Sequence, residues 1–372
     1  MRRRDRLWAV ALVSAFTLVS AACGGGDGQA DGGGGGDEEA IRAAFVYITS
    51  PGDGGWTFQH ELGRQMVEEE LGDQVVTTKI ENVPEEPGTA TRVIRQMAQR
   101  NDIVFTTSFG YMDPTVAVAE EFPDVMFEHC SGFKSADNMA NYFGAMEEPR
   151  YLSGLVAGSM TKSNVVGYVA AFPIPEVVRG INAFALGVRE ANPQATVRVV
   201  WTSTWFDPAK ERQAAESLLD ANADVLAQHQ DSPAVGQAAQ ERDAFWVGYD
   251  SDMRRFAEDA FLTAPVWNWG PYYVERIRAA LEGTWDTQSY YGDMAAGIVD
   301  LAPLSDLVPD DVAQMVDDKR QAIIDGEFEV LQGPIRDQDG KVMVPEGEVM
   351  SLEDALGWQW FVEGVQGTIP KA

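Results

Sequence analysis

From Ala40 onward the chain alternates short, continuously apolar runs with amphipathic stretches of helical period. IRAAFVYI (41–48) reads as a buried strand, FQHELGRQMVEEEL (58–71) as a helix and QVVTTKIEN (74–82) as the next strand. Helices at 88–100 and 113–122 alternate with extended runs at 101–108 and 124–130. The rhythm resumes with strands at 164–172, 195–203, 223–229 and 244–250 and helices at 175–191, 208–221 and 233–242. Parallel strands need helical crossovers, and strands covered on both faces read as unbroken apolar runs. The pattern therefore predicts an α/β chain built of βαβ units with parallel sheets. It falls into two blocks, which predicts two Rossmann-like lobes at 41–150 and 151–264. The less regular remainder reads as chain crossing back, 265–295 to the first lobe and 296–372 to the second. In open α/β sheets ligands bind beyond the carboxyl ends of the strands, so two facing lobes place a ligand cleft between those ends.

The first forty residues do not share the rhythm. Arg2, Arg3, Arg4 and Arg6 precede an apolar run from Leu7 to Val19, and Ser20, Ala21 and Ala22 lead to Cys23. That is the pattern of an export signal over 1–22, too short for a comfortable membrane span. A cysteine directly after small residues resembles a bacterial lipobox, although Ser20 stands where an aliphatic residue is usual. The resemblance implies a lipid on Cys23. The stretch 23–40 is rich in Gly and acid and cannot bury apolar surface, so it reads as a flexible leash. The layout predicts an exported domain, lipid-anchored at the outer face of the bacterial cytoplasmic membrane.

Charge and chemistry narrow the function. Lys plus Arg number 28 against 58 Asp plus Glu, a formal charge of −30, and such a surface repels nucleic-acid phosphates. The chain has no Walker A, GxSxG, HExxH or CxxC pattern. His60, His129 and His229 are far apart in sequence, and Cys130 has no partner in the folded part. No metal, cofactor or catalytic set is predicted, which favours a binding protein over an enzyme.

Aromatic residues instead gather where strands end. Trp56 follows the first strand in SPGDGGWTF, Phe109 and Tyr111 lie in TTSFGYMDP, Trp205 lies in TSTWFDP, and Trp267 and Trp269 lie in APVWNWGPYY. Flat faces turned to a cleft suit a flat ligand, since stacking adds about 0.5–1.5 kcal/mol per aromatic pair beyond burial. Sugars also stack on tryptophan, so the aromatics alone do not separate purine from sugar. Asp231 and Asp250 also end strands, where each could accept ligand hydrogen bonds or cap the helix that follows.

GDGGWTF (52–58), TTSFGYMDPT (106–115), the run 151–184, DPAKER (207–212), GYDSDM (248–253) and LTAPVWNWGPYY (262–273) together resemble the basic membrane protein family of substrate-binding lipoproteins, which includes purine nucleoside receptors of ABC importers. The resemblance covers roughly 41–370. It implies a type I periplasmic-binding-protein fold and delivery of a solute to an ABC permease and ATPase. It also implies a base sandwiched between Trp56 and Trp205, with Asp250 holding the ribose in nucleoside binders. Many members carry a ribose-contacting lysine where Trp267 stands here, beside Asn268. That exchange favours a free purine base, such as adenine or hypoxanthine. The alternatives are a nucleoside or sugar binder, a tethered sensor, or a nucleoside hydrolase, for which no metal-binding aspartate cluster or nucleophile set is present.

Overall fold

The computed structural model describes residues 40–371, so the export signal, Cys23 and the leash lie outside the described residues. The first lobe starts as β1 (Ile41–Val46), α1 (Trp56–Leu71), β2 (Val75–Ile80), α2 (Pro87–Ala98), β3 (Ile103–Thr106), α3 (Met112–Glu121), β4 (Met126–Cys130) and β5 (Met139–Gly144). Then α4 (Glu147–Met160) leads into β6 (Val165–Ala170), α5 (Pro175–Ala191), β7 (Thr196–Trp201), α6 (Pro208–Asp220), β8 (Val225–His229), α7 (Ala234–Glu241), β9 (Phe245–Val247) and β10 (Phe261–Thr263). The remainder is β11 (Pro265–Trp267), α8 (Gly270–Leu281), β12 (Tyr290–Gly292), β13 (Val299–Leu301), α9 (Asp310–Ile324), β14 (Ile335–Arg336), β15 (Val342–Val344), α10 (Leu352–Leu356) and β16 (Val365–Gln366).

Two six-stranded sheets result, ordered β12-β5-β4-β3-β1-β2 and β10-β9-β8-β6-β7-β16. Every pairing within them is parallel. The fully buried β3 and β5 explain the unbroken apolar runs. The late segment supplies an edge strand to each sheet, β12 to the first and β16 to the second.

The chain passes between the sheets after β5, around β11 and before β13, and these passages meet at Gly144. A β-carbon there would stand 2.8 Å from Trp267 and 2.9 Å from Val299, so the crossing point admits only glycine. The helix α4 carries no amphipathic signature because it is buried on nearly all sides. It lies so close to α5 that a β-carbon on Gly154 would stand 2.1 Å from the Phe184 carbonyl oxygen.

Candidate functional site

The strand ends of both lobes enclose a cavity holding about 360 Å³ of space free of protein atoms, its mouth included. The first lobe lines it with Ile48, Trp56, Ser108, Phe109 and Ser131. The second lobe contributes Glu176, Trp205, His229, Asp231 and Tyr249. Most of these sit at or just beyond a strand's carboxyl end, while Trp56 and Glu176 lie in the first turns of α1 and α5.

Trp56 is held in place from three directions. It is the first residue of α1, whose start is fixed by Asp53: the carboxylate accepts the backbone N–H groups of Gly55 at 2.9 Å, Thr57 at 3.1 Å and Phe58 at 3.1 Å. The indole N–H donates to the Thr107 carbonyl at 2.6 Å. Its ring meets Trp267, Trp269 and His60 edge-on, with centroids 5.6, 5.8 and 4.5 Å away. Beneath it Trp267 and Trp269 stack at 4.5 Å and 16°, and His60 stacks on Trp269 at 5.1 Å. Burial holds the His60 imidazole well below its usual pKa, and its Nδ1 lies 2.5 Å from the Tyr273 hydroxyl. The layer is apolar, neutral and packed, so the Trp56 ring cannot shift without moving several neighbours.

Trp205 approaches from the other lobe. It is half-buried, and its indole N–H donates across the cleft to Glu85 Oε2 at 3.1 Å. Glu85 Oε1 accepts from the Ser108 hydroxyl at 2.6 Å and the Gly110 N–H at 2.8 Å. One carboxylate thus ties the loop bearing Phe109 to Trp205. The lobes also meet where the Ser131 hydroxyl bonds Glu176 and where the Ser251 hydroxyl donates to the Gly54 carbonyl. A β-carbon on Gly55 would stand 2.6 Å from the Asp231 carbonyl oxygen, so only glycine lets the lobes approach this closely.

The polar lining residues are two acids, Asp231 and Glu176, with Ser108, Ser131, Tyr249 and His229. The Asp231 carboxyl is buried and has no hydrogen bond among the described residues, so it does not cap α7. Burial and the nearby Asp250 push it well above the carboxylate range. Glu176 is raised to about 7, mainly by burial. No Lys or Arg lines the cavity. Such a lining disfavours a phosphate and suits a neutral molecule offering N–H or O–H donors.

Asp250 sits one layer deeper. It is fully buried, with φ of 66°, a left-handed conformation that Asp tolerates better than most residues. Its Oδ1 accepts the Trp267 indole N–H at 3.0 Å, and Oδ2 has no partner. Burial raises its pKa while the Arg150 charge and the Trp267 bond lower it. Burial, joined by the nearby Asp53 and Glu176 charges, outweighs these two, so Asp250 too is raised well above the carboxylate range.

The structure thus brings Trp56, Phe109, Trp205 and Asp231 together at the cavity. Trp267 and Trp269 form the layer behind Trp56 rather than the lining. Tyr111 is in the first-lobe core, its hydroxyl donating to the Val83 carbonyl at 2.5 Å. Asn268 is exposed and donates to the Gly297 carbonyl at 3.0 Å. Sequence reasoning missed Ile48, Ser108, Ser131, Glu176, His229 and Tyr249 as lining residues. Their shared signal is position, since all but Glu176 end or follow a predicted strand. Among the described residues no three His, Cys, Asp or Glu side chains are grouped to hold a metal ion, and no helix is long and apolar enough to cross a membrane.

Residues 40–332 match the family described as Bmp, ABC transporter substrate-binding protein PnrA-like. The chain belongs to this family. It is 45% identical over 335 residues to a purine-binding protein of Brucella abortus (strain 2308), covering 90% of this chain and 95% of that one. It is 40% identical over 333 residues to a putative ABC transporter glucose-binding protein of Haloferax volcanii, covering 89% and 82%. Among solved structures, an ABC transporter solute-binding protein from Conexibacter woesei superposes with a TM-score of 0.64 at 25% identity, covering 78% of this chain and 98% of that one. The fold is that of the type I periplasmic-binding proteins. Family and fold are those of the extracytoplasmic solute-binding proteins of ABC transporters, which implies a small-molecule ligand and permease and ATPase partners.

Proposed function

We propose that this protein is the purine receptor of an ABC importer and takes a free base, such as adenine or hypoxanthine, between Trp56 and Trp205. The observation that carries this reading is the cavity itself: two indoles from opposite lobes line it, together with the Asp231 carboxyl, which is bonded to no protein group. A purine base fills a flat slot with π-surface on both faces and presents adjacent N–H and ring-nitrogen groups at its edge. A carboxyl that can both donate and accept complements that edge. The purine-binding relative supports the same class.

The preference for a base over a nucleoside rests on Asp250. Asp250 is not part of the cavity wall, and its Oδ1 is taken by the Trp267 indole behind that wall, so at the lining it presents no acceptor to a ribose. The second reading is a sugar, favoured by the putative glucose-binding relative and by the carboxyl and hydroxyl groups of the lining. The leader of residues 1–22 and Cys23 fit export and a lipid tether at the outer face of the cytoplasmic membrane, which would hold the receptor near its permease.

A thermal-shift screen of the full-length protein against nucleobases, nucleosides and sugars tests this. A ligand at 100 times its Kd adds about 2.7 kcal/mol to stability. Adenine or hypoxanthine should raise Tm while adenosine, inosine and glucose do not. A response to glucose alone overturns the purine assignment.

A further inference from the structure

His229 ends β8, lines the cavity and is buried, with its ring 4.5 Å from that of Tyr249. Its Nδ1 is turned away from solvent and has no hydrogen-bond partner. Two other unpartnered polar atoms share its surroundings. Arg150 Nε, His229 Nδ1 and the Tyr168 hydroxyl lie 3.5, 3.7 and 3.8 Å from the point where a β-carbon of Gly180 would stand. Arg150 is fully buried in α4, donates through Nη1 to the Gln228 carbonyl at 2.7 Å, and lies 3.7 Å over the Tyr249 ring.

The hydrogen inventory at this spot decides the state of the imidazole. Arg150 offers only N–H groups, and the Tyr168 hydroxyl remains O–H because burial drives its pKa up. A proton on Nδ1 would add another donor beside a buried positive charge. A lone pair on Nδ1 supplies an acceptor and turns the favourable end of the ring dipole toward Arg150. Burial, reinforced by the charges of Arg150 and Arg179, keeps the ring neutral. A neutral imidazole with a lone pair at Nδ1 carries its proton on Nε2.

We propose that His229 is a specificity-determining residue of the binding site, a neutral imidazole whose Nε2–H is directed at the cavity by Arg150 and Tyr168 behind it, and that it selects ligands presenting a hydrogen-bond acceptor. Arg150 is then a positioning residue. A ligand must satisfy a donor at His229 as well as the carboxyl of Asp231. Naming the acceptor as a ring nitrogen or carbonyl oxygen of a purine rests on the purine reading; the tautomer does not.

Nitrogen NMR of the ¹⁵N-labelled full-length protein, with the His229 signals assigned through His229→Gln, reads the tautomer directly. At pH 7 the proposal requires an unprotonated Nδ1 and a protonated Nε2, and Arg150→Met should mix the two tautomers. A proton on Nδ1, or a doubly protonated ring, overturns it. In adenine titrations, His229→Gln places an amide N–H near the Nε2–H position and should stay within about threefold of the parent Kd, whereas His229→Ala should lose about tenfold or more. Equal losses in the two variants overturn the donor role. The required tautomer in a protein that binds no adenine contradicts the purine reading and upholds the His229 assignment.

Discussion

The indole N–H of Trp267 donates to Asp250 at 3.0 Å, and this bond joins the two lobes directly behind the binding cavity. Trp267 stacks under the platform that carries Trp56, while Asp250 stands in the left-handed region at the end of a second-lobe strand. The pair makes Asp250 a support of the site. Asp250→Ala removes the acceptor of a buried N–H and leaves alanine at an unfavourable φ. It should cost about 1–3 kcal/mol, seen as a lower Tm, together with weaker adenine binding. Asp250→Asn keeps a carbonyl acceptor and tolerates the left-handed backbone, so its Tm should fall less.

Trp56→Ala and Trp205→Ala should each weaken adenine binding by more than about tenfold, because lost stacking and burial together exceed ~1.4 kcal/mol. Titration calorimetry measures both. The Trp56 variant should also lose stability, since its ring packs on His60, Trp267 and Trp269; Trp205, half-buried at the cleft, should affect Tm less. Normal affinity in both variants would contradict the sandwich.

At Gly55 the backbone of the first lobe comes close to that of the second. A methyl group there would meet the Asp231 carbonyl oxygen at 2.6 Å. Gly55→Ala should therefore reduce adenine affinity by about tenfold or more, with small-angle scattering of the adenine-saturated variant showing a larger radius of gyration than the parent. An unchanged Kd would show that closure does not need this contact.

Glu176 gives a pH dependence of definite sign. Burial raises its carboxyl to about 7, opposed by the Ser131 hydrogen bond and the Arg179 charge and reinforced by the Glu85 charge. The folded state thus holds a proton that the unfolded chain releases near its ordinary value, so stability falls as pH rises between about 4.5 and 7 and levels off above. The drop is at most of order 3 kcal/mol. Glu176→Gln should remove this part of the Tm-versus-pH slope; an identical slope in the variant would contradict the assignment.

The two-lobed fold and the strand ends that face the cleft are legible in the sequence because parallel strands leave unbroken apolar runs. The helix α5 is found at its full length, 175–191, from its period. Helix α4 is not, because a helix buried all round shows no period. The lining was read in part: Trp56, Phe109, Trp205 and Asp231 sit where a strand-end argument puts them. Trp267 and Trp269 satisfy the same argument yet pack behind the lining, because the chain reverses into α8 immediately after them. The distinction between an indole in the wall and one behind it depends on which chain crossing lies between, and Gly144 sets that crossing. Glu176 was not legible as a lining residue, since nothing in its local sequence marks a helix-start acid as the one that meets Ser131 of the other lobe.

The most direct test of the account is a crystal structure of the protein grown with adenine. The account predicts the base lying parallel to and between the Trp56 and Trp205 indoles, with its edge on Asp231 and an acceptor atom facing His229 Nε2. Adenine bound away from the two indoles, or a cleft that takes glucose and leaves adenine unbound, would contradict it.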